Sequence, residues 1–174
     1  MTELNIIPEC YVDTKVAEIL GESSKKYNHQ HGCGDVANEL KKTNRVSLGI
    51  IDEDKFKGPN AKYFLEFEVV KQENNLILKK HKTKKQYLVL ICPEVEKWLI
   101  TDAEKVAINP SDEHYGLPNQ LKDFKKISKI KDIDKNLGFY RFIKALVREK
   151  APSISTLKNW ITLFKQNELN SIKS

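Results

Sequence analysis

The spacing of apolar residues predicts alternating short strands and helices in the first half of the chain. Largely apolar runs at residues 4–7 and 46–51 are typical of buried strands in a parallel sheet. Apolar residues three and four apart predict a helix over residues 11–20, and Asp35 is the expected cap of a second helix. With a short strand at residues 27–29, the order β-α-β-α-β favours parallel pairing with right-handed crossovers.

The remaining pattern predicts further strands and then a helical C-terminal third. A segment at residues 64–70 fits either a strand or a short helix that runs into a strand. The other expected elements are strands at 76–78 and 87–91, a helix opened by Pro93, and helices at 117–127, 137–147 and 153–164. The pattern therefore predicts an α/β fold: a Rossmann-like, mainly parallel sheet flanked by helices, with a C-terminal helical extension.

Charge divides the chain in a way that supports two regions, residues 1–110 with the sheet and residues 111–174 as a basic helical region packed on it. Residues 1–114 carry 17 Lys and Arg against 19 Asp and Glu, whereas residues 115–174 carry 13 against 5. Such an asymmetry favours a polyanionic partner, nucleic acid being the commonest, although a lysine-rich solvated helical face explains it equally well.

Composition places the chain among globular proteins. Its 174 residues are 40% hydrophobic and 31% charged, which suits a domain with one apolar core. The sequence contains no run of 18 apolar residues, so it predicts no membrane-spanning helix. The N-terminus lacks the basic and long apolar regions of a secretory signal. Three scattered cysteines do not form a disulfide framework, so we expect a cytoplasmic protein with no membrane partner.

Acidic side chains follow two of the predicted parallel strands. Glu9 comes directly after the first strand, and Asp13 lies one helical turn beyond it. Asp52 and Asp54 come directly after the run VSLGII. Because ligands bind at the carboxyl ends of parallel strands, these four carboxylates are expected to converge there. Mg²⁺ and Mn²⁺ would relieve their repulsion, which points to a metal site for phosphodiester chemistry, whereas solvated loop acids are the alternative.

These motifs resemble a TOPRIM domain, over roughly residues 3–100. The family has Glu after its first strand, often as Glu-Gly-x-x-Asp, and here the stretch is Glu9-Cys10-Tyr11-Val12-Asp13. It has Asp-x-Asp after a later strand, often with glycine beyond, and here Asp52-Glu53-Asp54 precedes Gly58. The family usually has glycine in place of Cys10. The resemblance is greatest to the small TOPRIM nucleases of phage-defence systems.

The resemblance implies a Mg²⁺-dependent endonuclease, a hydrolase of phosphodiester bonds with nucleic acid as its substrate. Glu9, Asp52 and Asp54 would bind Mg²⁺ or Mn²⁺ and act in catalysis, and Asp13 and Glu96 would bind a second ion or support the first. By the same analogy the protein would be a toxic effector in phage defence, with a regulatory ATPase as a possible partner. Neither the nature of the nucleic acid nor the oligomeric state follows from the sequence.

Basic side chains are the candidates for contacts with phosphate. In the basic turn at residues 79–85, Lys80 is a candidate catalytic cation and Lys82 a candidate nucleic-acid contact. The C-terminal candidates for phosphate contacts are Lys122, Lys125, Lys126, Lys129, Arg141, Lys144 and Arg148. Each of these residues also fits a plain solvated surface.

Three alternatives remain open at this point. The stretch from Ile50 to Phe56 resembles the first motif of haloacid-dehalogenase-like phosphatases, with Phe56 in place of the usual Thr or Val. The domain could also be a non-catalytic module that binds nucleic acid or protein. His29-x-His31-x-Cys33 has the residue types of a zinc site, but the spacing is tighter than usual.

Overall fold

Five strands form one mixed sheet in the computed structural model, which describes residues 5–23, 26–53 and 59–172, except the side chains of 59 and 60. The strands are β1 Asn5–Pro8, β2 Ser47–Asp52, β3 Phe67–Glu73, β4 Leu76–His81 and β5 Gln86–Ile91. Their order across the sheet is β1-β2-β5-β4-β3. The predicted α/β class is confirmed.

The sheet is half parallel rather than mainly parallel as predicted. β1, β2 and β5 run parallel, whereas β4 and β3 are each antiparallel to their neighbours. The reversal occurs at Asn74 and Asn75, which form a two-residue loop between β3 and β4 with φ angles of 49° and 56°. Two positive φ angles are typical of a type I′ hairpin turn, which asparagine tolerates better than most residues. This turn reverses the chain between β3 and β4, and residues 82–85 then connect β4 to β5 of the parallel half.

Six α-helices and three short 3₁₀ helices surround the sheet within the described ranges. The α-helices are α1 Tyr11–Leu20, α2 Cys33–Lys42, α3 Val95–Lys105, α4 Leu121–Ser128, α5 Leu137–Arg148 and α6 Pro152–Lys165. The 3₁₀ helices are Pro59–Glu66, Lys131–Lys135 and Leu169–Ser171. None of these helices is long and apolar enough to cross a membrane.

Two helix starts differ from the sequence prediction by three or more residues. α1 has the predicted bounds, but α2 begins at Cys33, so Asp35 lies in its first turn and is not its cap. The reason is that the Gly32 carbonyl accepts hydrogen bonds from the amides of both Asp35 and Val36. α4 begins at Leu121 instead of residue 117.

The segment predicted as a short strand at residues 27–29 runs along the outer edge of β1 without being a regular strand. The Asn28 amide donates to the Ile6 carbonyl at 3.1 Å, and the Gln30 amide donates to the Pro8 carbonyl at 3.0 Å. These two bonds satisfy part of an otherwise open sheet edge. They also fix the loop that follows beside the end of β1.

Each face of the sheet carries its own apolar cluster. In β2, Leu48 and Ile50 face a large cluster shared with α1, α3, α4, α5 and α6, whereas Ile51 faces a smaller one. The smaller cluster contains residues of α2 and of the 3₁₀ helix Pro59–Glu66. This alternation follows from the two-residue period of a strand. The larger cluster includes residues of both regions predicted from charge, 1–110 and 111–174.

Gly49 allows α2 to pack closely on β2. A Cβ atom at this position would lie 3.0 Å from Leu88 Cδ1, 3.1 Å from Val36 Cγ1 and 3.3 Å from Leu40 Cδ1. All three neighbours belong to the smaller cluster, where little rearrangement is available. The helix-to-sheet distance on this face is therefore matched to a residue without a side chain.

We expect Gly49→Ala to lower the free energy of unfolding by about 1–2 kcal/mol, because the added methyl overpacks this contact. Urea unfolding followed by circular dichroism measures the change. In a Val36→Ala background the same substitution should lower the free energy of unfolding by less, because the Val36 Cγ1 methyl, 3.1 Å from the added Cβ, is gone. Equal costs in both backgrounds would contradict overpacking as the cause.

Candidate active site

Glu9 and Asp52 lie next to each other at the carboxyl ends of β1 and β2. Glu9 follows the last residue of β1, and its amide donates to the Ile50 carbonyl at 3.0 Å. The Asp52 amide donates to Glu9 Oε2 at 3.0 Å. The exposed fractions of the two residues are 2% and 0%. The structure thus brings together two buried carboxylates that lie 43 residues apart in the sequence.

Asp52 also joins β2 to the start of α3. Its Oδ1 accepts a hydrogen bond of 2.9 Å from the Val95 amide, and Val95 is the first residue of that helix. A helix N-terminus carries partial positive charge and unpaired amides, so a carboxylate is well placed there. The bond fixes one oxygen of Asp52 and thereby orients the carboxyl group.

Glu96, in the first turn of α3, is a further buried acidic residue in this region. It is 7% exposed, and Ser128 Oγ donates to its Oε1 at 2.5 Å. Glu96 and Glu9 both line a cavity of about 490 Å³ between the start of α1, the loop before α2, and α3 with α4. Ser128, at the end of α4, is not among the predicted site residues, and an isolated serine in a helix offers no sequence signal for this role.

Asp13 lies in the first turn of α1, close to the site in sequence but not in the cavity lining. It is 1% exposed, and the Cys10 thiol donates to its Oδ2 at 3.0 Å. Cys10 occupies the position where the TOPRIM motif usually has glycine. It therefore contributes a side-chain contact that glycine could not make. Through this contact Asp13 supports the turn after β1.

Aromatic rings form one wall of the cavity. Tyr11 and His29 stack with ring centroids 4.3 Å apart, and His31 meets His29 edge-on at 4.9 Å. Thr14 Oγ1 donates to the Cys10 carbonyl at 2.7 Å and lies 3.0 Å from His29 Nδ1. Because that hydroxyl donates its only hydrogen to the Cys10 carbonyl, it accepts from His29. In the neutral ring Nδ1 therefore carries the proton and Nε2 is an acceptor. Burial first, and then nearby His31, lower the pKa of His29 below its ordinary value.

The lowered pKa of His29 implies that the stability of the fold depends on pH. Since the unfolded chain binds the proton more readily than the folded one, stability should fall as the pH drops below the ordinary histidine pKa of 6.5. Unfolding free energies of the wild type and of His29→Gln, measured between pH 8 and pH 5, test this. The wild type should lose more stability than the variant over the acidic part of that range. Parallel curves would contradict the prediction.

Cys92 lies near Asp52, in surroundings that keep its thiol protonated. Burial first, and then the neighbouring carboxylates of Glu53 and Asp52, raise the pKa of the Cys92 thiol to about 12. At neutral pH the group is therefore a protonated thiol, and the thiolate is the reactive form. No disulfide joins Cys10, Cys33 and Cys92, all of which lie in the described ranges.

Lys80 and Lys82 lie at the opposite end of the strands from the carboxylates. At the end of the strands where the carboxylates lie, Asp52 pairs with Ile91, and Ile91 pairs with Leu76. Lys80 is four residues further along β4, about 13 Å away at about 3.3 Å per residue, where it pairs with Tyr87. Lys82 lies in the turn beyond it. The structure does not bring either lysine to the site, because the antiparallel direction of β4 carries them away from it.

The C-terminal basic residues are spread over several surfaces. Lys129 lines the cavity, and Lys125 Nζ lies 2.6 Å from Glu94 Oε1 beside the start of α3. Exposed positions on α4 and α5 are occupied by Lys122, Lys126, Arg141, Lys144 and Arg148. Lys126 pairs with Asp123 and Arg148 with Glu149, both at 2.7 Å. Of the predicted phosphate contacts, Lys129 is the one that the cavity includes.

The donor chemistry at this edge fits a hard cation, although one predicted ligand, Asp54, lies outside the described residues. Glu9 and Asp52 are neighbouring residues with carboxylate side chains, which are the ligands that Mg²⁺ and Mn²⁺ prefer. Among the residues that are described, no group of three or more His, Cys, Asp or Glu side chains is arranged to hold a metal ion, and this includes His29, His31 and Cys33.

Comparisons with protein-family models, curated proteins and solved structures found no match to this chain.

Proposed function

We propose that the protein is a metal-dependent nuclease of TOPRIM type that hydrolyses phosphodiester bonds in nucleic acid. The observation that carries the proposal is the buried pair Glu9 and Asp52, in which the Glu9 carboxylate accepts a hydrogen bond from the Asp52 backbone amide at the carboxyl ends of adjacent parallel strands. Burying two neighbouring carboxylates is costly unless a positive partner compensates them. The two sequence motifs that resemble a TOPRIM domain begin with these same two residues.

Glu9 and Asp52, together with Asp54, would hold Mg²⁺ or Mn²⁺. When bound, the cation supplies a Lewis acid for the phosphodiester and lowers the pKa of a bound water. Asp52 keeps a fixed orientation because the Val95 amide binds its Oδ1. Glu96, held by Ser128 in the cavity that Glu9 also lines, would bind a second ion or accept a proton from water, whereas Asp52 lies behind the cavity lining.

Basic residues near the cavity would bind the nucleic-acid backbone. Lys129 lines the cavity and is exposed, so its ammonium group is available to a phosphate. The positive charge of residues 115–174, 13 Lys and Arg against 5 Asp and Glu, adds attraction at longer range. The acidic edge would then act on a backbone that the basic region holds.

Lys129→Gln should weaken binding of a short oligonucleotide about three- to tenfold and lower the salt dependence of binding by about one counterion. Fluorescence anisotropy at several NaCl concentrations, in EDTA, measures both quantities. Lys62→Gln is the matched control, because Lys62 is an exposed lysine on the 3₁₀ helix Pro59–Glu66, which covers the other face of the sheet. If both variants behave alike, Lys129 has no specific contact with phosphate.

The experiment that tests the proposal is a cleavage assay with the purified full chain. Labelled DNA and RNA oligonucleotides are incubated with Mg²⁺, Mn²⁺ or EDTA, and the products are separated on denaturing gels. We expect cleavage with either cation and none with EDTA. Absence of cleavage under all conditions, or cleavage that EDTA does not affect, would contradict the proposal. Release of inorganic phosphate from phosphomonoesters without chain cleavage would instead favour the phosphatase alternative.

A further inference from the structure

The aromatic wall of the cavity is not needed for the carboxylate chemistry. Tyr11 and His29 stack at 4.3 Å with planes 17° apart, and His31 stands edge-on to both, 4.9 Å from His29 and 6.3 Å from Tyr11. The three rings come from two different segments that the bonds along the outer edge of β1 hold together. When a flat ligand binds to such an arrangement, the side chains lose little conformational entropy, because the rings already hold one another in place.

The position of Glu9 limits what can reach it. Glu9 is 2% exposed and lines the cavity, whose volume of about 490 Å³ is in the range of sites for small ligands. A duplex has its bases paired and stacked, and it would have to release one of them to fill such a space. A single strand offers an unpaired base at no such cost. The shape of the site therefore discriminates against paired nucleic acid.

The cavity also offers polar groups that suit a base and its phosphate. His29 Nε2 is buried and has no hydrogen-bond partner among the described residues, and as an acceptor it suits an amino group of a base. Lys129 lines the same cavity and is exposed to solvent. Aromatic rings beside a cation are the means by which proteins bind single strands with little sequence preference.

We propose that this cavity binds one unpaired base of a single-stranded nucleic acid, stacked against His31 and Tyr11. The inference rests on the proposed function, since it names the substrate class of the same site. The base would lie against the aromatic wall while a neighbouring phosphate contacts Lys129. Single-stranded DNA or RNA is thus the expected substrate, and a duplex is a poor one.

Binding is measured without catalysis, in EDTA at pH 8, with a short single-stranded oligonucleotide that contains 2-aminopurine. We expect quenching of the 2-aminopurine fluorescence on binding, and an affinity at least tenfold higher than for the duplex of the same sequence. His31→Leu should weaken binding about five- to a hundredfold, whereas His31→Phe, which keeps a ring, should stay within about threefold of the wild type. His114→Leu makes the same change at an exposed histidine that packs edge-on to Tyr115 outside the cavity, and should have no effect.

A second pair of variants protects the test from a folding defect at one position. Tyr11→Leu keeps an apolar residue against the core but removes the ring, and should weaken binding, whereas Tyr11→Phe should not. Equal affinity for single strand and duplex, or wild-type binding by His31→Leu and Tyr11→Leu, would overturn the inference. Loss of binding in His31→Phe would also overturn it, because a polar contact would then replace stacking.

The two proposals can fail separately. Ring-dependent binding of single strands by a protein that cleaves nothing would leave the cavity inference standing and overturn the nuclease. Cleavage of duplex and single strand at equal rates, lost on substitution of Asp52, would leave the nuclease standing and overturn the inference.

Discussion

Asp52→Asn is expected to lower Mg²⁺-dependent cleavage by about a thousandfold while leaving the fold intact. The amide oxygen of asparagine can still accept the hydrogen bond from the Val95 amide, so the link between β2 and α3 survives. The negative charge is lost, and with it most of the attraction for a divalent cation. Single-turnover cleavage of a labelled oligonucleotide, with thermal unfolding measured alongside, separates the loss of activity from a loss of stability.

Matched variants make this prediction specific. Glu9→Gln should cause a similar loss, because its amide oxygen can still accept from the Asp52 amide but its charge is gone. The double variant should be little worse than either single one, since the two residues act as a unit. Asp112→Asn and Glu104→Gln make the same changes at exposed positions and should retain full activity. Wild-type cleavage by Asp52→Asn would place the active site elsewhere.

Asp102→Ala is expected to lower the free energy of unfolding by about 3 kcal/mol. The Asp102 carboxylate is fully buried and accepts hydrogen bonds from the amides of Ser153, at 3.0 Å, and Ile154, at 2.9 Å. These are among the first amides of α6, which have no partner within the helix. Alanine would leave both amides buried without an acceptor and remove a negative charge from the helix N-terminus. Urea unfolding monitored by circular dichroism measures the loss.

Two further substitutions separate the capping bonds from the nearby ion pair. Asp102→Asn keeps one acceptor oxygen and should cost about half as much as alanine. Lys105→Ala removes a half-exposed partner 3.6 Å from Asp102 Oδ1 and should cost less than about 1 kcal/mol. If Lys105→Ala costs as much as Asp102→Ala, the ion pair and not the capping of α6 is the main contribution.

The parallel half of the fold and the carboxylate pair could be predicted because local and global signals agree there. The apolar runs before Glu9 and Asp52 are buried strands, and α1 between them has the bounds that its apolar spacing indicates. Parallel pairing of neighbouring strands then brings their ends to one edge whatever the intervening loops do. That is why two residues distant in sequence could be placed together without a structure.

The position of Lys80 could not be predicted from the same reasoning, because it depends on strand direction. A strand pattern does not state whether the strand runs parallel or antiparallel to its neighbours. The local signal is the pair Asn74 and Asn75, whose positive φ angles form the hairpin turn before β4. The contact of Ser128 with Glu96 depends on how α4 docks against α3, and no spacing within the sequence encodes that docking.

The measurement that tests the central claim most directly is the location of a bound cation. Crystals of the protein soaked in Mn²⁺, with diffraction data collected at the manganese absorption edge, would show the ion as an anomalous difference peak. We predict a peak between Glu9 and Asp52, with carboxylate oxygens of both residues at about 2.0–2.3 Å from the ion. A peak at another site, or no peak at these carboxylates in crystals of protein that cleaves nucleic acid with Mn²⁺, would contradict the account.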